Sequence, residues 1–588
     1  MRAHRVGFVG MTALLAAVTS SAQVGRGGSQ WLTALADAQR TSWVRSDDKI
    51  SVEALMGPGF EMQWKTLLNN QPRGLQGLAQ GVTASGVTLF VPMSLVAGNS
   101  NSIYGIDNDL GYVVWERQFN LAVPAATSAC PGGMTSGATR VVPLDASATA
   151  ARANPFGGGR GNVGYRSLLG EPGEGVPVEG RIGGPVTTPA GGGSGIARGA
   201  PPPPPPPPAA RGGQVDERIP GAPRKEDAGP FSFLGRPSGV VYVVSSDGML
   251  HVLGLPSGKD MQKPAPFLPA NSKWSAPIAV DTMLYAATSG ECGGAPNAIW
   301  SIDLDSDAKP VTSWTTKGGN IVGAIAFTSD GALIAAIGSG PTTGDGKANA
   351  IVALDAKTLQ LKDWFTHPTA AFVTGPTILR HGDREIVAAA TRDGRVLLLD
   401  TNSLGGPDHA TPLASSRSWL GSGATVSADA LAAWQQSDAT VEPNRTRKTT
   451  SWILMPVAGR VSAGMPASNG PVSGGAVVAL KLVDIGGALS VEPAWVSHNL
   501  TSPGTPLIVN GVVFALATGL SASTPVRGTP AVLHAYDGVS GRRLWTSGKT
   551  MSAVASPGSF WSGLGQIYVG SHDSTLYAFG FNDERRPH

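Results

Sequence analysis

Side chains able to do chemistry are sparse in this sequence and lie far apart. Asp107, Asp355 and Asp537 each end an apolar run just before a turn. A carboxylate so placed can act as an acid or base, or it can accept hydrogen bonds from the turn amides. Two of the three sit in matching frames, Asp107-Asn108-Asp109-Leu110-Gly111-Tyr112-Val113-Val114-Trp115 and Asp537-Gly538-Val539-Ser540-Gly541-Arg542-Arg543-Leu544-Trp545. In both, Gly follows Asp by four residues and Trp follows by eight. Glycine supplies a positive φ at the turn, and Trp ends the returning strand. Such repetition belongs to architecture, so these aspartates are read as turn carboxylates and no catalytic residue is predicted.

The remaining candidates are isolated. Glu291, in Ser289-Gly290-Glu291-Cys292-Gly293-Gly294, is the acid least explained by a turn, with a metal ligand and a solvated loop residue as its two readings. His251, His534 and His572 lie on separate repeats, and no His pair has metal-ligand spacing, so no metal site is expected. There is no Walker loop and no convincing nucleophile elbow. The two cysteines, Cys130 and Cys292, form no Cys-x-x-Cys-His, which excludes covalent haem attachment. They are either two free thiols or one disulfide. In a propeller, the crossing before the second blade and the middle turn of the third emerge on the same face. A bond linking neighbouring blades is therefore the hypothesis.

The elements that carry these residues repeat at about fifty residues, the sign of an array or propeller. Each unit reads as a small-residue strand, a Val-rich strand, a strand ending near Asp and a strand ending in Trp. The first unit spans residues 77–115, with Val87-Thr88-Leu89-Phe90-Val91 as its second strand. The second starts near Thr135 and resumes at Val240, where Ser245-Ser246-Asp247-Gly248 marks a hairpin. Trp314, Trp364, Trp495 and Trp545 close the third, fourth, sixth and seventh units, and the fifth lacks a closing Trp. The eighth stops one strand short. Phe60-Glu61-Met62-Gln63-Trp64-Lys65-Thr66 is a strand without upstream partners, one period before Trp115. An open ring would leave an unpaired edge. The fold class expected is therefore all-β, an eight-bladed β-propeller of four-stranded antiparallel blades, closed by the Trp64 strand. Seven blades, with the fifth and sixth units merged, is the alternative.

Outside the repeats, residues 1–22 have a basic head, an apolar core and small residues before Gln23, the pattern of a cleaved signal peptide. No lipid-site Cys follows, and no later apolar run is long enough to span a membrane. Export to the periplasm or medium is expected. In the lead-in, residues 23–58, Trp31, Leu35 and Ala38 have helical spacing and predict a short amphipathic helix. The propeller is placed at residues 59–146 and 236–580, with a tail at 581–588. Between them, residues 147–235 hold glycine triplets and eight consecutive prolines. This composition cannot build a core and reads as a disordered insertion, either a tolerated surface loop or a docking arm. The net charge of +3 gives no support for nucleic-acid binding.

The Asp-x-x-x-Gly-x-x-x-Trp ending resembles the tryptophan-docking repeat of pyrroloquinoline quinone (PQQ)-type propellers. The stretch with Trp31, Asp37, Arg40 and Ile50 before the Trp64 strand is similar to their N-terminal lead-in. The resemblance implies two branches. Quinoprotein alcohol and sugar dehydrogenases would bring bound PQQ, calcium and an Asp base. The non-catalytic branch, typified by the barrel-assembly propeller lipoprotein, would bring a protein partner and no cofactor. This chain has no adjacent cysteines, and its carboxylates are scattered. The reading is therefore a monomeric binding or assembly scaffold with a protein partner and no cofactor, with the PQQ- and calcium-dependent dehydrogenase as the alternative.

Overall fold

The computed structural model describes residues 30–88, 91–127, 129–144, 239–441, 447–466, 468–520 and 528–582. The expected signal sequence and the glycine- and proline-rich segment lie outside the described residues. The described strands form eight small sheets in an eight-bladed propeller. Blade 1 is Val82–Thr88, Val91–Gly98, Ser102–Asp107 and Val113–Gln118 in sheet order. The predicted strand at 87–91 is thus the junction between the first two strands, a correction that moves the Val-rich strand to Val91–Gly98.

Closure follows the expectation. Phe60–Leu67 pairs antiparallel with the chain's last strand, Thr575–Phe581, running from Phe60 opposite Phe581 to Leu67 opposite Thr575. In blade 2 the first strand is reduced to Thr139, which exchanges backbone bonds with Tyr242, and Val141–Val142 then crosses to pair with blade 3. Blade 5 ends on the two-residue strand Ala414–Ser415 and has no closing Trp. Blade 6 has the longest strands, Arg447–Ala458 and Gly475–Ile485.

The lead-in overturns the helix expectation. Leu35, Ala36, Arg40 and Ser42 all have positive φ, between 56° and 77°, and residues 31–42 form no helix. The only α-helix among the described residues is Val52–Met56, capped by the Ser51 hydroxyl. The apolar spacing of Trp31, Leu35 and Ala38 serves a different path. First strands along a propeller channel expose backbone groups on the channel side, and these need partners. The lead-in supplies them blade by blade. Trp31 exchanges bonds with Thr83 of blade 1, and the Leu32 carbonyl accepts the Arg140 amide of blade 2. The Thr33 hydroxyl donates to Pro277 at blade 3. Carbonyls of Ala38, Gln39, Thr41 and Ser42 accept the amides of Phe327, Ile378, Ala433 and Ile508 in blades 4, 5, 6 and 7. The Asp47 carboxylate accepts the Gly565 amide of blade 8 at 3.1 Å. The left-handed residues let one short segment turn through the whole ring, forming an inner girdle.

At the rim, the blades are joined by tryptophan. Trp64 Nε1 donates to Asn108 O of blade 1 at 2.8 Å, Trp115 Nε1 to Leu255 O of blade 2 at 2.7 Å, and Trp495 Nε1 to Gly538 O of blade 7 at 2.9 Å. Each ring lies flat on the next blade's turn glycine. A Cβ on Gly111 would sit 2.4 Å from Trp64, and one on Gly541 2.6 Å from Trp495. Both glycines have positive φ, 75° and 71°. The Asp, Gly and Trp of one repeat therefore do not serve one another. Asp and Gly shape a turn that receives the previous blade's Trp.

Candidate functional site

A propeller offers two channel mouths. On the turn face, where first-to-second and third-to-fourth turns lie, the girdle fills the channel. Arg40 is its hub and is fully buried. Its Nε donates to Ile325 O at 2.7 Å, and its terminal nitrogens donate to Thr33 Oγ1 at 3.0 Å, Ala34 O at 2.6 Å and Ala276 O at 3.3 Å. Burial pulls the guanidinium down to about 9, against the opposing pull of Asp37. Asp37 accepts the Thr41 amide and hydroxyl and pairs with Arg45 at 3.0 Å. These residues are committed to structure and leave that mouth closed.

Asp429 lies in the crossing from blade 5 to blade 6 and is exposed. The backbone of blades 4, 5 and 6 closes up beside Asp429. Gly375 N donates to Asp429 O, and a Cβ on Gly323 would meet that oxygen at 2.5 Å. Glycine at 323 keeps the wall thin there, where a side chain would clash. Asp429 does not stand in a repeated frame, so pattern reading passed over it.

The residues singled out from sequence have been placed as follows. Asp107, Asp355 and Asp537 each accept two amides of their own turn, from Asp109 and Leu110, Lys357 and Thr358, and Val539 and Ser540. The Thr358 amide and Lys362 hold the Asp355 carboxyl well below the ordinary range. Trp364 stacks on His409 at 3.8 Å instead of on a glycine, and Trp545 meets Phe60 edge-on at 4.9 Å. Trp314 is half-buried against the core of blades 3 and 4. Glu291 is exposed, with φ of 53°, ahead of the short turn Cys292–Gly294. Cys130 and Cys292 are joined, with Cα atoms 5.5 Å apart, tying the crossing into blade 2 to the middle turn of blade 3. His572 Nε2 donates to Gly74 O at 2.8 Å. His534 is buried beside His498 and Tyr536, and burial, His498 and Arg543 push it down to about 3.

One arrangement imitates a catalytic triad. His251 Nε2 is 3.1 Å from Ser245 Oγ, and its Nδ1 is 3.0 Å from Asp260 Oδ1. Arg117 pairs with the other Asp260 oxygen. Geometry alone would suggest a nucleophile and base. Ser245, however, is fully buried, and its hydroxyl is also shared with Asp247 and Met249 O. The same hydroxyl-to-Asp turn recurs at Thr391 and Asp393 in blade 5 and at Ser571 and Asp573 in blade 8, without a histidine. With its hydroxyl buried, the line is a structural network that fixes a blade turn.

No family model matches the chain, and no curated protein is similar to it in sequence. Solved structures are similar in fold. The quinohemoprotein alcohol dehydrogenase ADHIIG from Pseudomonas putida HK5 superposes with a TM-score of 0.51 and 11% identity, over 96% of this chain and 81% of that one. A europium-containing methanol dehydrogenase gives a TM-score of 0.51 and 10% identity, over 94% and 98%. The fold they share with this chain is the propeller. BamB from Moraxella catarrhalis is also similar, at a TM-score of 0.35 and 14% identity, over 60% and 81%. Calcium takes several converging oxygens. Among the described residues, no group of three or more His, Cys, Asp or Glu side chains could hold a metal ion. None of the described helices is long and apolar enough to cross a membrane.

Proposed function

We propose that this chain is an exported, non-enzymatic scaffold that binds a protein partner on its rim. One observation carries the reading. Along the seam between blades 8 and 1, Leu67, Leu110, Tyr112 and Val114 are 72%, 64%, 53% and 42% exposed. The seam is a rigid surface, since Trp64 is locked to Asn108 and Thr66 bonds Gly111. Large apolar side chains gathered on a rigid rim mark a protein interaction surface. The test is cross-linking of the full chain in its native extract, with the doubly substituted L67D/L110D variant alongside. The parent is expected to capture one defined partner with cross-links on this seam, and the variant to lose it at unchanged thermal stability. Cross-links confined to another face, or capture unaffected in the variant, would overturn the reading.

The second reading is a quinone- and calcium-dependent dehydrogenase. The dehydrogenases of similar fold speak for it; the lack of converging calcium donors among the described residues speaks against it. Reconstitution with quinone and calcium, then dye-linked oxidation of alcohols or sugars, is expected to give no turnover. Turnover abolished by Asp429→Asn would establish the second reading instead.

A further inference from the structure

Each blade ends on an outer strand with one unpaired edge, and such an edge is a template for another strand unless it is guarded. Seven of the eight edges are guarded. The outer strands of blades 1, 4, 6, 7 and 8 carry Glu116, Lys362, Glu492, Arg543 and Lys65, and those of blades 2 and 5 are two residues long. Blade 3 ends on Val311–Thr315, which has neither a charge nor a proline. It pairs in unbroken register with Ala298–Asp303, from Val311 opposite Ile302 to Thr315 opposite Ala298. Just beyond its ends, the Asp303 amide donates to Pro310 O and the Thr316 amide to Asn297 O. Antiparallel bonding alternates, so Thr312 and Trp314 also bond inward. The N–H and C=O groups of Val311, Ser313 and Thr315 therefore point outward, and no turn or side chain among the described residues bonds them. Val311, Thr312 and Ser313 are exposed.

We infer that this edge pairs with the same edge of a second copy of the chain, antiparallel about a two-fold axis through Ser313. The outward groups are placed symmetrically about Ser313. One register therefore joins Val311 to Thr315, Ser313 to Ser313 and Thr315 to Val311, and satisfies all of them at once. The side chains agree on both faces. Val311 meets Thr315 on one face and Thr312 meets Trp314 on the other, and such β-branched and aromatic neighbours are favourable across strands. No charge enters the pairing. At its ends Lys309 comes opposite Lys317, but each is held within its own chain, Lys309 Nζ on Leu304 O at 3.0 Å and Lys317 Nζ on Asp345 at 2.8 Å. A slip of two residues either way would set one of these lysines against the strand. The edge is separate from the apolar seam between blades 8 and 1, so the inference stands whichever functional reading holds.

The test is sedimentation of the full chain. Monomer is expected to give way to dimer between about 1 and 100 μM. Over the same range the amides of Val311, Ser313 and Thr315 are expected to gain protection from hydrogen exchange, while the inward amides of Thr312 and Trp314 stay as they were. Ser313→Lys sets two like charges on the axis. It is expected to weaken association at least about tenfold, with the melting temperature of the dilute chain unchanged, and so is Ser313→Asp. An equal mixture of the two variants is expected to dimerise again, one copy of each, because opposite charges then meet on the axis. Recovery in the mixture separates lost pairing from lost folding. A chain that stays monomeric over this range, whether its edge amides exchange freely or are already covered by its own residues, would overturn the assignment. Dimers indifferent to either charge, or a mixture that stays monomeric, would overturn it as well.

Discussion

Along the channel, blades are tied mainly through backbone, by eight successive contacts from residues 31–47 that take one partner from each blade in turn, six through backbone carbonyls and two through the Thr33 hydroxyl and the Asp47 carboxylate. At the rim they are tied through side chains, and only some seams share one device. Trp64, Trp115 and Trp495 use an indole bond and a glycine bed, whereas the seam after blade 4 uses Trp364 on His409. The girdle is a single continuous tie, so losing its hub loosens several blades together. The rim is a set of separate ties, so losing one should open one seam. This contrast makes the two regions separable by mutation.

The largest effect should come from Arg40→Met, which keeps the apolar stem and removes the guanidinium. Four acceptors from the girdle and blades 3 and 4, two of them fully buried, then lose their donor. The expected cost is about 3–5 kcal/mol in urea unfolding, since breaking a buried charged network orphans its partners. If Arg40→Met unfolds at the parent's midpoint, the girdle is not a tie at all.

A smaller, pH-dependent effect belongs to the seam between blades 6 and 7. His534 titrates at about 3 in the fold, below its ordinary 6.5. The unfolded chain therefore binds a proton that the folded chain refuses. Stability is unaffected above about 6.5 and falls as the pH drops from there towards 3, by a few kcal/mol at most. His534→Leu should flatten this part of the pH profile. An unchanged slope would show that another group carries it.

Next, Gly541→Ala places a Cβ 2.6 Å from Trp495 at a φ of 71°, and it should cost about 2 kcal/mol from strain and overpacking. Gly382→Ala is the control, because its φ is 58° but nothing lies within 4 Å. It should cost about 1 kcal/mol, from backbone conformation alone. Equal costs would mean that the glycine bed contributes no packing.

Legibility followed repetition. The rim devices recur in type and spacing, so the eight blades, the Trp64 closure and the turn role of Asp107 and Asp537 could be read from residue order. The girdle does not recur. Most of its bonds use carbonyls, which every residue has, and its path depends on positive φ at Leu35, Ala36 and Ser42, which are not residues that signal such a conformation. Its apolar spacing imitated a helix because Trp31 and Ala38 point into a core that surrounds the segment. Asp429 was illegible for a related reason. Its carbonyl meets Gly375 of blade 5 and Gly323 of blade 4 only in the folded ring, and sequence separation conceals that. The Ser245, His251 and Asp260 line shows the converse hazard, since a pattern with chemical meaning occurs here in a sealed turn.

The smallest predicted effect compares the two kinds of rim seam directly. Trp495 Nε1 is buried and bonded to Gly538 O, so Trp495→Phe removes a hydrogen bond and orphans its acceptor. Trp364 is half-buried, and its contacts are the His409 stack and Lys347 4.5 Å from the ring. Phenylalanine keeps a ring face for both. Trp364→Phe should therefore cost about 0.5 kcal/mol, against about 1–1.5 kcal/mol for Trp495→Phe. The difference lies in the acceptor, not the ring, so Trp364→Leu should exceed Trp364→Phe clearly. If both Phe variants lose the same amount, the bond to the neighbouring turn is incidental, and the rim is held by ring burial alone.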